Sequence, residues 1–331
     1  MTRQLYTGHC RPTRGHDSPR AILLGAMIAA LCAGTLMPTQ AQVNGSLSAA
    51  LADPFSAALI SFGTGFGILL FRLACSRAMR SGLARACVAL RERRLPWWYL
   101  SAGAMGTVMI LSQAATISIV GVALFTVVVV AGQVISGLVV DSRGIAGATR
   151  RPLAWPRIVG AAVLAVATLI AASPDLASSS VFSILPLAAP LTAGVLVSLQ
   201  MACNGSITRT AGSTWVAAFL NFTTGTLVLA VVWCITRPLM PTVHLSEFPR
   251  MWWLYIGGAL GVMVVASQAA LVRGLGVLLL GLATIAGQLS GALALAGVAP
   301  GRDPVRASTV AGVLFALLGA AIASLSHRRS S

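Results

Sequence analysis

Long apolar runs, broken by short polar or arginine-bearing stretches, set the pattern of this chain. Each run holds roughly 20 residues with few charges, the length that takes an α-helix across a hydrocarbon core. Ten such runs can be read, at about 21–42, 54–75, 97–117, 120–140, 157–173, 183–203, 213–235, 251–271, 275–296 and 306–326. The stretches between them are too short to fold as soluble domains. The pattern predicts an all-α integral membrane protein of ten transmembrane helices. Its parts are a basic tail over 1–20, a first five-helix unit over 21–173 and a second over 182–326.

Composition agrees. Of 331 residues, 57% are hydrophobic and 9% charged, with seven carboxylates in all. An ordinary soluble surface carries about 25% charge, so a cytosolic enzyme is excluded. Disorder is excluded too, because it needs low hydrophobicity. The net charge of +16 comes entirely from arginine, with no lysine present. These arginines cluster in loops between apolar runs, which points to the membrane surface and away from nucleic acid. Fifteen of the 23 fall in the tail and in two alternate loops of the first half, at 72–94 and 143–157. The positive-inside rule then places both termini in the cytoplasm. In the second half Arg209, Arg273, Arg328 and Arg329 fall inside, whereas Arg237, Arg250, Arg302 and Arg306 fall outside. Residues 1–42 also have the outline of a secretory signal, but the cleavage pattern fits badly and the end of the run recurs later in the chain.

Several features carry no chemistry. The six cysteines show no CxxC or metal spacing, so no metal site is expected. Gly63, Gly65 and Gly67 lie within an apolar run, and Gly287–Gly291 and Gly297–Gly301 are GxxxG pairs. All are read as helix-packing positions. Without lysine there is no Walker motif, which excludes ATP-driven transport by this chain alone. Trp97, Trp98, Trp252 and Trp253 sit at the starts of two runs, as interfacial anchors do.

An internal repeat is the most informative feature. Gln40, Asn44, Gly45 and Ser46 recur 160 residues on as Gln200, Asn204, Gly205 and Ser206, and Phe62, Thr64 and Gly65 as Phe222, Thr224 and Gly225. The offset then becomes 155. Trp97-Trp98, Gly103, Gly106, Ser112, Gln113, Gly121 and Ala131-Gly132-Gln133 match Trp252-Trp253, Gly258, Gly261, Ser267, Gln268, Gly276 and Ala286-Gly287-Gln288. A unit of five spans is odd, so the second copy enters the membrane from the opposite side. Two inverted repeats are the architecture of alternating-access secondary transporters.

Five sequence features together resemble the drug/metabolite transporter superfamily, specifically its YdcZ-like inner-membrane exporters. They are Gln40-x3-Asn44-Gly45, Ile60-Ser61-Phe62-x-Thr64-Gly65, Pro96-Trp97-Trp98, Gly103-x2-Gly106, and Ala131-Gly132-Gln133 with Asp141. The resemblance implies a ten-helix bundle in a bacterial inner membrane and export of small metabolites. It supplies no substrate. Asp141 falls opposite Ala296, so any role of that carboxylate is not duplicated.

Polar side chains at membrane depth are the candidates for function. Gln133, Gln288, Gln113 and Gln268 form two repeat-related pairs of amides, suited to a neutral or zwitterionic solute. The competing reading is hydrogen-bonded glue between helices. Gln40, Asn44, Gln200 and Asn204 are read at the ends of the first and sixth spans. There they are either capped helix ends or gates at a cavity mouth. Asn221, opposite Ser61, is read as packing. Asp141 is the nearest candidate for ion coupling, although beside Arg143 an ion pair at a helix end is the plainer reading. No histidine falls inside a span, no catalytic set is present and no cofactor is implied. The expected partners are a small-molecule substrate and membrane lipids, and a homodimer is left open. A channel-like facilitator and a non-transporting scaffold or receptor are the alternatives to a carrier.

Overall fold

The computed structural model describes residues 19–147, 155–177, 181–236, 238, 248–298 and 307–324, and the regular elements among them are all helical. They are α1 (Pro19–Leu51), α2 (Pro54–Cys75), α3 (Arg77–Arg91), α4 (Ala102–Val120), α5 (Val122–Arg143), α6 (Trp155–Ala177), α7 (Val181–Ala211), α8 (Thr214–Thr236), α9 (Gly257–Val298) and α10 (Ala307–Ser324). Among the described residues six stretches are long and apolar enough to cross a membrane: Leu24–Leu51, Pro54–Cys75, Trp97–Val120, Val122–Arg143, Pro186–Ala211 and Thr214–Thr236. Shorter apolar helices run over Gly257–Ser267, Ala283–Val298 and Val310–Gly319. Most of the expected tail, and the loops holding Arg150, Arg151, Arg237, Arg302 and Arg306, lie outside the described residues.

Local chemistry sets the helix ends. Asp53 caps α2 by accepting the Phe55 amide at 2.9 Å, and Pro54 takes the first helical position, where a missing N–H is harmless. Ser76 closes α2 through its amide to the Arg72 carbonyl and opens α3 by accepting the Met79 amide at its hydroxyl. Gly121 separates α4 from α5 with φ 79° and ψ 158°, a conformation that needs glycine. The turns after α1 and α7 place the repeat-equivalent residues Ala52 and Gly212 at φ 50° and 65°.

Three sequence expectations change. The first span does not stop at residue 42, because α1 runs through Asn44-Gly45 to Leu51, and α7 likewise runs through Asn204-Gly205 to Ala211. Asn44 turns its side chain into the core, and Gly45 lets Ile117 approach to 2.6 Å of where a Cβ would stand. The arginine-rich 72–94 stretch contains a helix, α3. It buries Met79, Gly82, Ala86 and Ala89 on one face and exposes Arg77, Arg80 and Arg91. The spans read at 251–271 and 275–296 form a single element, α9, whose two ends run along α1 in opposite senses. Gly257 and Gly261 meet Asn44 and Gln40, whereas Gly287 and Gly291 meet Leu31 and Thr35.

Helices of the two halves interlock. α2 and α8 are antiparallel: Arg72 near the end of α2 stacks on Trp215 near the start of α8, and Trp233 near the end of α8 donates to Ser56 near the start of α2. α1 packs on α9, α7 on α4 and α5, and α6 on α10. Contacts recur with the repeat. A Cβ on Gly132 would stand 2.4 Å from the Leu191 carbonyl, and one on Gly287 would stand 2.0 Å from the Leu31 carbonyl. Gly103 lies against Asn221 and Thr224 as Gly258 lies against Ser61 and Thr64. Of the mid-span glycine trio only Gly65 packs this way, against Phe222; Gly63 and Gly67 face open space.

Arg72, Arg85, Arg143 and Arg209 gather at one end. Arg85 donates to the last carbonyl of α7, that of Ala211, at 2.6 and 3.1 Å. Arg209 donates to the Gly147 carbonyl at 2.7 Å, which draws the end of α7 and the turn after α5 together. Trp97 and Trp252 are 79% and 75% exposed, as anchors in an interfacial belt require.

This packing predicts opposite outcomes for one kind of substitution. Gly132→Ala and Gly287→Ala force helices apart and should each lower stability by about 1–3 kcal/mol. Gly63→Ala and Gly67→Ala should be neutral or stabilising by up to about 1 kcal/mol. Thermal unfolding of the four detergent-purified variants measures the difference.

Candidate functional site

Of the polar residues singled out in the sequence, Gln40, Asn44, Gln113, Gln200 and Asn204 come together at the seam where α1, α2 and α4 meet α7, α8 and α9. At its centre the repeat-equivalent rings of Phe62 and Phe222 touch, with centroids 4.9 Å apart and planes at 37°. Each ring covers the other half's glycine: a Cβ on Gly65 would stand 2.2 Å from Phe222, and one on Gly225 2.2 Å from Phe62. Neither glycine has room for a side chain, and the rings meet for that reason.

Amides surround the ring pair. Asn44 is fully buried, and its Nδ2 donates to Oε1 of the buried Gln113 at 2.7 Å. A residue expected at a gate and one expected at the substrate are thus directly bonded. Gln40 Nε2 lies 2.6 Å from the Cβ position of Gly261, and Gln200 Nε2 lies 2.8 Å from that of Gly106. Asn221 donates to Asn204 Oδ1 at 3.4 Å. Gln40 is buried, whereas Gln200 and Asn204 are half-buried. The side chain of Gln268 lies outside the described residues.

Two of the buried oxygens left without a partner lie together here. Asn44 Oδ1 and Ser61 Oγ have no hydrogen-bond partner, and both face Gly257, whose Cβ position lies 2.3 and 2.9 Å from them. A buried acceptor without a partner costs about 1–3 kcal/mol. The start of α9 therefore closes over polar atoms that a hydrogen-bond donor would satisfy.

Gln133 and Gln288 stand elsewhere, at the crossings of α5 with α7 and of α9 with α1. Gln288 is buried and donates to Met37 Sδ at 2.9 Å. Gln133 is half-buried, and its backbone carbonyl accepts the Ser198 hydroxyl at 2.6 Å. The Gln288 bond is of the glue type. Asp141 is half-buried in the last turn of α5, two residues before Arg143. Among the described residues no three His, Cys, Asp or Glu side chains converge as metal ligands do.

No single-residue signal marked Ser61, Phe62 and Phe222 as the centre. The repeat held the clue, because equivalent residues of two symmetry-related halves meet only on the axis between them.

Apolar helices with a neutral polar seam define a multi-pass membrane protein of transporter type. The family model described as "Putative inner membrane exporter, YdcZ" matches residues 25–170 and again residues 185–322. The two matches cover most of the chain, which belongs to this family of inner-membrane exporters. Comparison with curated proteins and with solved structures returned no match.

The Asn44–Gln113 bond predicts a coupling energy. Asn44→Leu or Gln113→Leu alone strands a buried amide and should cost about 1–3 kcal/mol. The double leucine variant should cost less than the sum, with a coupling of about 0.5–2 kcal/mol. A double-mutant cycle by thermal unfolding reads it.

Proposed function

We propose that this chain is a secondary transporter that exports a small polar, neutral or zwitterionic metabolite. It works as two inverted five-helix halves, over about 21–173 and 182–326, that exchange conformations. The reciprocal packing carries this reading: Gly103 and Gly106 of α4 pack against α8 and Gln200 as Gly258 and Gly261 of α9 pack against α2 and Gln40, with Phe62 and Phe222 meeting between them. Inverted halves of this kind can open a shared site to either face in turn. The seam offers amide donors and acceptors without a fixed charge, which suits a solute carrying no net charge. Gln40, Asn44, Gln113, Gln200 and Asn204 line the route. At its edge Gln288 ties α9 to α1 through Met37, and Ser198 ties α7 to α5 through the Gln133 backbone. The absence of charge in this group also supports transport without a bound proton at the seam, and Asp141 is the place where coupling would be sought.

Both termini lie in the cytoplasm on this reading, because the end of the bundle holding Arg72–Arg94, Arg143 and Arg209 is then cytoplasmic. A fluorescent protein fused after Ser331 should fluoresce, and a phosphatase fused there should be inactive. The reverse pair of results overturns the orientation.

Transport is tested by mass spectrometry of medium and cell extracts at matched membrane abundance. Overexpression should raise a small set of polar metabolites outside and lower them inside. Asn44→Ala with Gln113→Ala should abolish the change. In proteoliposomes the identified solute should move saturably and be stimulated by unlabelled solute on the opposite side. Flux that neither saturates nor shows such stimulation identifies a channel instead.

A further inference from the structure

Near the arginine-rich end of α2 an open cleft of about 630 Å³ lies against Trp215 of α8 and Val262 of α9. Ile68, Phe71, Trp215 and Val262 form its apolar walls, and Arg72 and Arg77 stand at its rim. Phe71 is 73% exposed. The Arg72 guanidinium carbon lies over the Trp215 ring, 3.8 Å from its centroid. Stacking holds that guanidinium in place and leaves its N–H edge free for a bidentate oxyanion. Among the described residues no carboxylate forms an ion pair with Arg72 or Arg77; the ion pair found there joins Arg94 to Glu92.

We propose that this cleft binds an anionic phospholipid. The phosphate sits on Arg72 and Arg77, and one acyl chain runs along Ile68 and Phe71. Basic pockets between membrane helices at headgroup depth attract anionic lipid, each arginine contributing to the attraction. The apolar wall directly below the arginines selects a lipid over a free phosphate. The repeat does not reproduce the site at the other end, where Val232 replaces Arg72 and Phe55 replaces Trp215. The lipid therefore wedges α2 against α8 at one end of the seam only. This inference needs the chain to span the membrane but does not need it to transport.

The test is native mass spectrometry of the detergent-purified full chain titrated with cardiolipin, phosphatidylethanolamine or water-soluble glycerophosphate. Cardiolipin should bind about tenfold tighter than phosphatidylethanolamine, and glycerophosphate should not be retained. Arg72→Gln with Arg77→Gln should lose about tenfold of the cardiolipin affinity, whereas Arg91→Gln with Arg94→Gln, outside the cleft, should keep it. Unchanged cardiolipin binding by a folded Arg72→Gln, Arg77→Gln protein overturns the site. Glycerophosphate binding as tight as cardiolipin overturns the lipid in favour of a soluble phosphate. Independently of any variant, cardiolipin and not phosphatidylethanolamine should slow hydrogen exchange over residues 72–80; equal exchange with both overturns the proposal.

Discussion

The arrangement depends on helices that touch backbone to backbone. Lipid removes the hydrophobic force that drives helices together in water, so contact must come from dispersion and hydrogen bonding at short range. Small residues at the crossings make that range available. Gly34 and Gly287 bring α1 onto α9, and Gly132 and Gly194 bring α5 onto α7, in each case with a neighbouring carbonyl where a Cβ would be. These crossings join one half to the other. Each half completes its packing on its counterpart, and the polar seam exists only because the halves are held this close.

Closeness then decides which polar groups the interior tolerates. A charge at this depth is costly, and the arginines are spent at the ends, on helix carbonyls such as that of Ala211 and on the Trp215 face. Amides are cheaper to bury because they can pair with one another, as Asn44 does with Gln113. The pairing is incomplete at Asn44 Oδ1 and Ser61 Oγ. A seam that seals over unpaired acceptors is less stable closed than it would be with leucine there. A moving part needs that property.

Much of this was legible in the sequence, and for definite reasons. Hydropathy reveals spans because each must bury about 20 apolar residues whatever its neighbours do. The 160- and 155-residue offsets located the glycines and amides of the seam, since equivalent residues in two similar halves occupy equivalent environments. What was missed turns on tertiary contact. Asn44-Gly45 reads as a helix stop in isolation, yet it continues α1 because Gln113 and Ile117 wait on α4. Gln133 and Gln288 read as the deepest polar positions, but depth along a helix does not say which neighbour a side chain meets, and Gln288 meets Met37. Helix α3 was hidden by its charge, since its apolar face is made of Met79, Gly82, Ala86 and Ala89 instead of large residues.

The differences between the halves carry as much meaning as the likeness. Two identical inverted halves in identical conformations would open or close a shared site on both faces at once. A carrier needs them to differ in any one state and to exchange that difference. Here the difference is written into side chains at equivalent places. Ser61 leaves Asn44 bonded to Gln113, whereas Asn221 in the other copy takes up Asn204 at 3.4 Å. Ser198 donates to the Gln133 backbone carbonyl, a bond that Pro38 at the equivalent place cannot make, and the Gln288 amide donates instead to Met37. Arg72 and Trp215 clamp α2 to α8 at one end, and the equivalent valine and phenylalanine cannot do so at the other. Each substitution favours one arrangement of the seam over its mirror. On the carrier reading, the resting state is therefore set by the sequence itself, and a solute has to supply only the differential binding that tips the pair the other way.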